Sequence, residues 1–411
     1  MQTQHPEPVV VRAPRAAAFA VAGLLASCSV ADNLSFGELV TELDGIVTIT
    51  GEGEDRGIAY AEDVEVAAWY MRQFWLWPIR WALGPVFGYR EHDLLQNPAG
   101  HVRDLLLELP DEVGSDTLRC AQATTRLGWI AEVDRNGLSR VVGIDGLVAV
   151  AGHAGLALFA RSFDELGQPL PQPTLDAART VIAGGRPDAR DAAFPPAARA
   201  DYVAALAQLC ERPLAHWTDR LLLVEDLVVL ARGETDPELL AATERALRTA
   251  MAHCIEGVLL RAVEDRDRRF VEVRLCAMEQ IRRLAGPRGV PLLLAVMSAT
   301  PAQRARLEPQ FDPDPLVQLR LIHYCGQLRG ANATAEVRLP GRESWQAIAP
   351  VDFLAQAVLN GLDAETSYST LRTPALAALA LSLGRPTLDP DPSWVGEWYR
   401  ERHSRGLRTD G

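Results

Sequence analysis

A helical text recurs along this chain at intervals of about fifty residues, and that interval constrains the fold more than any other feature. The clearest copy is Asp267 to Gly286, DRRFVEVRLCAMEQIRRLAG. Val271, Val273, Leu275, Ala277, Met278, Ile281 and Leu284 recur at helical spacing and predict one broad apolar face. Gly286 stands where a left-handed residue ends a helix.

Similar text runs Leu118 to Gly128 (LRCAQATTRLG), Leu319 to Gly330 (LRLIHYCGQLRG) and Leu371 to Gly384 (LRTPALAALALSLG), with weaker copies ending at Gly184 and Gly233. Read as helix ends, glycines 128, 184, 233, 286, 330 and 384 lie 56, 49, 53, 44 and 54 residues apart. Such a period predicts an all-α chain of antiparallel helix pairs stacked as an α-solenoid, which grows one unit at a time. Val273-Arg274 and Leu319-Arg320, with Asp267 and Asp314 upstream, resemble the signature helix of HEAT (armadillo-type) repeats. The resemblance covers roughly residues 95 to 390 and implies a HEAT-like solenoid that binds other proteins. The division expected is a signal segment at 1–27, an N-terminal region at 28–94, repeats at 95–390 and a capping helix with its tail at 391–411.

With 411 residues, 48% of them apolar, the chain can bury a large core. Its formal charge is −13, which speaks against a nucleic-acid partner, since such proteins gather phosphate-neutralising cations on one face. All 41 basic residues are Arg. The absence of Lys removes Schiff-base chemistry and a P-loop lysine. Cys28, Cys120, Cys210, Cys254, Cys276 and Cys325 contain no CxxC pair, so the sequence predicts neither a zinc site nor a redox motif. Cys120, Cys210, Cys276 and Cys325 lie in apolar helical text and read as buried structural thiols, and a Cys254–Cys276 bridge stays open at this level.

Arg12 and Arg15 precede the short apolar run AAAFAVAGLLAS at residues 16 to 27, which ends immediately before Cys28. This is the layout of a secretory signal, and the run is too short to span a bilayer. Leu25-Ala26-Ser27-Cys28 resembles the bacterial lipobox, which implies an acylated Cys28 at the mature N-terminus and a chain tethered on the non-cytoplasmic side of an envelope membrane. Ser29 after the cysteine favours the outer membrane by the same resemblance.

Residues 33 to 46 predict a helix capped by Asn33 or Ser35. The strand-like pieces GIVTIT and Gly57 to Tyr60 then flank an acidic glycine run, which reads as a β-hairpin because Glu52, Glu54 and Asp55 would repel phosphate. Residues 68 to 89 hold Trp69, Trp75, Trp77 and Trp81. They read as an N-terminal cap on the first repeat, with membrane or partner contact as the alternatives.

Val141 to Ala160 reads as a pair of short buried helices, Asp145 and His153 arguing against a membrane span. Asp236-Pro237, Asp314-Pro315 and Asp391-Pro392 each predict a capped helix start. Ser393 to His403 predicts a closing helix with Trp394, Val395 and Trp398 on one side.

The chain holds no HExxH, GxSxG or GxGxxG. His153, His253 and His323 read as structural, and the adjacent Glu225 and Asp226 point to different sides of a helix. No catalytic residue, metal ligand or cofactor is assigned. The expectation is a non-catalytic envelope lipoprotein that binds a protein partner and reaches the membrane through its N-terminal lipid. An envelope hydrolase or lyase using acids such as Glu256 in a concave groove is the alternative.

Overall fold

A computed structural model of the protein describes residues 34–50, 57–61, 64–65, 97–160, 172–187, 195–210, 217–298, 314–328, 335–337, 346–360, 368–385 and 391–404. Cys28, Gly330 and the tryptophans at 69, 75, 77 and 81 lie outside them. The chain divides into two compact units, Met1–Glu108 and Leu109–Gly411, and its described residues are mostly helical.

In the first unit, α1 (Phe36–Ile46) starts at a capping box: the Ser35 side chain serves the third helical amide while Glu38 accepts from the Ser35 N–H at 2.9 Å. Phe36, Leu39, Val40, Leu43 and Ile46 form its buried face at i, i+3, i+4, i+7 and i+10. The helix runs directly into β1 (Val47–Thr50), which pairs antiparallel with β2 (Gly57–Tyr60), Val47 opposite Tyr60 and Thr50 opposite Gly57. This is the predicted hairpin. Glu42 on α1 meets the buried His101 Nε2 at 2.6 Å, tying α1 to the first turn of α2 (Pro98–Glu112).

In the second unit, α3 (Thr117–Val133) and α4 (Gly137–His153) are joined by a three-residue turn and pack antiparallel. Arg140 Nε donates to the Ala131 carbonyl at 2.8 Å, and Gly146 further along α4 lies against Leu127. α8 (Pro237–Glu264) and α9 (Val271–Ala285) make a second pair of the same kind across a short 3₁₀ turn. The two pairs stack in parallel. Thr117 near the start of α3 receives a hydrogen bond from Arg248, and Glu132 near its end faces Arg261, a near-constant offset along α8. Asp145 of α4 likewise meets Cys276 and Gln280 of α9, 131 and 135 residues on.

The turns of the two pairs repeat the same chemistry. Asp134 accepts from the Asn136 N–H at 2.9 Å as Asp265 does from the Asp267 N–H at 3.1 Å. Asn136 then caps α4, and Asp267 caps the 3₁₀ turn that leads into α9. Arg140 and Arg274 each reach back nine residues to a backbone carbonyl at or beside that turn. Arg140 also donates to Asp265 at 2.7 Å, so one turn is bonded to the next.

Between these stacked pairs the chain inserts α5 (Gln172–Ala183), α6 (Pro196–Cys210) and α7 (Trp217–Gly233). α7 packs on both α3 and α8, α6 packs on α8, and α5 covers α6. The pairs are therefore stacked out of chain order at this point, and the intervals between glycines mix repeat and insertion. The buried pair Arg199–Glu234, at 2.9 Å, holds α6 to the turn before α8, where Glu234 also accepts from the Thr235 and Asp236 N–H groups.

Beyond α9 come α10 (Gly289–Ser298), α11 (Pro315–Gln327), the small hairpin β3 (Ala335–Val337) and β4 (Gln346–Ile348), then α12 (Pro350–Asn360), α13 (Tyr368–Ser382) and α14 (Ser393–Ser404). α13 packs on α11 and α12, and α14 on α12. The closing helix takes the expected place: Val395 is fully buried, and Arg402 bonds the buried Asp352 of α12 at 2.7 Å. Arg385 lies 4.3 Å over the Trp394 ring.

The aspartate caps hold. The Asp236, Asp314 and Asp116 carboxylates each accept two amides of the helix they open, and Asp391 accepts the Ser393 N–H at 2.9 Å. Gly286 and Gly384 take the positive φ expected of helix stops, at 57° and 66°.

Two expectations need correction. Gly128 does not end a helix but lies inside α3, where Leu221 of α7 packs so closely that a Cβ would meet its methyl carbon at 2.5 Å. Val141 to Ala160 is not a pair of short helices, because α4 continues unbroken to His153. Gly143 and Gly146 within it serve packing: a Cβ at Gly143 would stand 2.9 Å from the Leu127 carbonyl, and one at Gly146 would stand 2.7 Å from a Leu127 methyl carbon. His153 is exposed at the helix end.

Candidate functional site

Titratable side chains of three helices meet at the junction of α3, α7 and α8. Trp129 and Glu132 come from α3, one turn apart; Arg220 and Glu225 come from α7; Cys254 and Arg261 come from α8. Two close approaches build it. Leu221 fills the notch at Gly128, which brings α7 against α3. The Arg220 guanidinium occupies the space a side chain at position 257 would need, which lets it lie across α8 at Gly257.

Within the junction, the Trp129 Nε1–H donates to Glu225 Oε1 at 2.9 Å. Glu132 is differently placed. Its side chain is 1% exposed, Oε2 stands 3.6 Å from Arg261 Nε, and Oε1 meets no donor among the described residues. Burial pushes its carboxyl up to about 7 against the opposing pull of Arg261, Arg220 and Arg140. Cys254, buried beside them, is pushed up to about 12 mainly by the same desolvation, so its thiol stays protonated and is a poor nucleophile.

The other buried acids have structural work. Glu256 Oε1 accepts from the Phe159 N–H at 2.6 Å, holding a residue whose φ of 55° is the only positive value at a non-glycine among the described residues. Asp352 is taken up by Arg402. At Glu234, burial raises the carboxyl, but Arg199 and two backbone N–H groups more than offset it, and the net shift is downward. Glu256 itself is buried, with one carboxylate oxygen engaged by the backbone.

The remaining sequence candidates disperse. Glu225 and Asp226 face different partners, Trp129 and Arg186. His323 pairs with Gln327 at 2.8 Å on the surface of α11. Cys254 and Cys276 are both free thiols: Cys276 donates to Asp145 at 3.4 Å, and burial raises it to about 12 with help from that carboxylate. Among the described residues there is no group of three or more His, Cys, Asp or Glu arranged to hold a metal ion, and no helix long and apolar enough to cross a membrane.

Reading residues singly missed Glu132 and Arg220. One signal was available: Asp134-Arg135-Asn136 with Arg140 parallels Asp265-Arg266-Asp267 with Arg274, and aligning these would have set α3 against α8 and Glu132 toward its neighbours. Comparison with protein-family models, with curated proteins and with solved structures finds no match.

Proposed function

We propose that this chain is a non-catalytic helical-repeat scaffold of the HEAT kind that binds a protein partner in the cell envelope, anchored to a membrane by an acylated Cys28. The observation that carries the scaffold reading is the parallel stacking of α3/α4 on α8/α9 with matched turns, joined by Arg140 and Asp265. Stacked pairs extend a continuous surface, and a lipid tether would hold that surface at high effective concentration for a partner in the same compartment. Arg135, Leu138, Arg268 and Arg269 are exposed along the edge formed by the two turns, Leu138 at 59%. The anchor rests on the order of charge, apolar run and cysteine in residues 1–28.

Photo-cross-linking in native membranes tests the binding role. A cross-linker at Leu138 is expected to yield one discrete adduct, lost when Arg268→Glu and Arg269→Glu reverse the charge beside it. Adducts that are diffuse and indifferent to those changes would contradict a partner at this edge.

The second reading, an envelope hydrolase or lyase, has Glu132 behind it, since a carboxyl held near neutral pH suits proton transfer. The same enclosure keeps a substrate from it, and the scaffold is the better account.

A further inference from the structure

We propose that Glu132 is a proton-operated latch: protonated, it lets α7 and α8 close over the end of α3, and ionised, it loosens α7 from that junction. This goes beyond the scaffold reading and does not depend on it. A buried carboxylate needs donors for its lone pairs; Glu132 Oε1 has none among the described residues, and Oε2 stands 3.6 Å from Arg261 Nε. A neutral carboxyl tolerates such a place far better than an anion.

Each element packed on α3 presents groups to Glu132. From α7 come Arg220 and Glu225, the latter engaged by Trp129. From α8 come Arg261 and the protonated Cys254, with Asp265 just past its end; from α4 comes Arg140, bonded to Asp265 and to the Ala131 carbonyl. Arg140 is therefore committed elsewhere. Arg261 is half exposed, and an ionised Glu132 would have to draw it inward or admit water. Either movement opens the seam under α7, where Leu221 and Arg220 sit in the Gly128 and Gly257 notches.

The sign follows from burial. Because the carboxyl in the folded chain is raised to about 7 from 4.5, the folded state holds a proton that the unfolded chain gives up. Its contribution is full below about pH 4.5 and falls away as pH rises through about 7. Opening would also change the outer side of α7, where Leu222 and Val229 are 36% and 47% exposed.

Hydrogen–deuterium exchange of the full-length chain at pH 6 and pH 8, corrected for intrinsic rates, tests the latch alongside Glu132→Gln. The wild type is expected to exchange α7 and the end of α3 about tenfold faster at pH 8, matching the loss of a proton whose pKa is shifted by at least one unit. The Glu132→Gln chain should stay protected at both. Equal wild-type protection at the two pH values, or a variant that keeps the wild-type pH response, overturns the proposal. If the variant does not fold, carbon-13 titration of the Glu132 carboxyl in the wild type decides. A midpoint between pH 6 and 8 supports the latch, and one outside that range overturns it.

Discussion

Arg140 and Asp265 lie 125 residues apart in sequence and 2.7 Å apart in space. Arg140 is 4% exposed and also stacks 4.4 Å over the Phe270 ring, so its charge is enclosed on the stack side. Removing the carboxylate leaves that charge with a carbonyl and a ring. Asp265→Ala should destabilise the second unit by about 2–3 kcal/mol, somewhat below the range for a fully buried pair because Asp265 is a quarter exposed. Denaturant unfolding of the variant checks this, and Arg140→Met/Asp265→Ala should recover part of the loss.

Gly257 is a packing requirement of Arg220. A methyl group there would displace the guanidinium from the α7–α8 contact, and Gly257→Ala should cost about 1–3 kcal/mol despite the better helix propensity of alanine. A double-mutant cycle with Arg220→Ala should show the two changes to be non-additive. Additive effects would mean that the notch and the arginine are unrelated.

The Arg199–Glu234 pair gives an acid-side test. With Glu234 net lowered in the folded chain, its contribution is present above the unfolded carboxylate pKa and is lost as pH falls through the lower folded value. Acid unfolding monitored by circular dichroism should shift to higher pH in Arg199→Met. At neutral pH the variant should be less stable, since Glu234 is left enclosed without its cation.

Removing the Asp236 carboxylate takes the acceptor of two amides from the start of the longest described helix. Asp236→Ala should cost about 1 kcal/mol, and Asp236→Asn or Asp236→Ser much less. Thermal unfolding of the three variants separates capping from charge.

Features determined by neighbours in sequence were legible. The Asp-Pro helix starts and the Gly286 stop depend on contacts within one turn and were readable from residue type and spacing, while the first helix was read only as capped by Asn33 or Ser35. Gly128 was not, because a glycine in helical text looks like a stop until a residue 93 positions away, Leu221, fills the space at its Cα. The stacking of α3/α4 on α8/α9 was hidden for the same reason, since residues 154–236 intervene between the two pairs. Glu132 is the last residue but one of its helix, a place where a carboxylate is ordinarily solvated. Only helices arriving from two other parts of the chain bury it.

The central claim is that these stacked pairs are displayed from a lipid at Cys28, and intact mass with N-terminal analysis of protein from the native membrane fraction tests it most directly. The account predicts a chain beginning at an acylated Cys28. An unmodified chain that keeps residues 1 to 27 would contradict it.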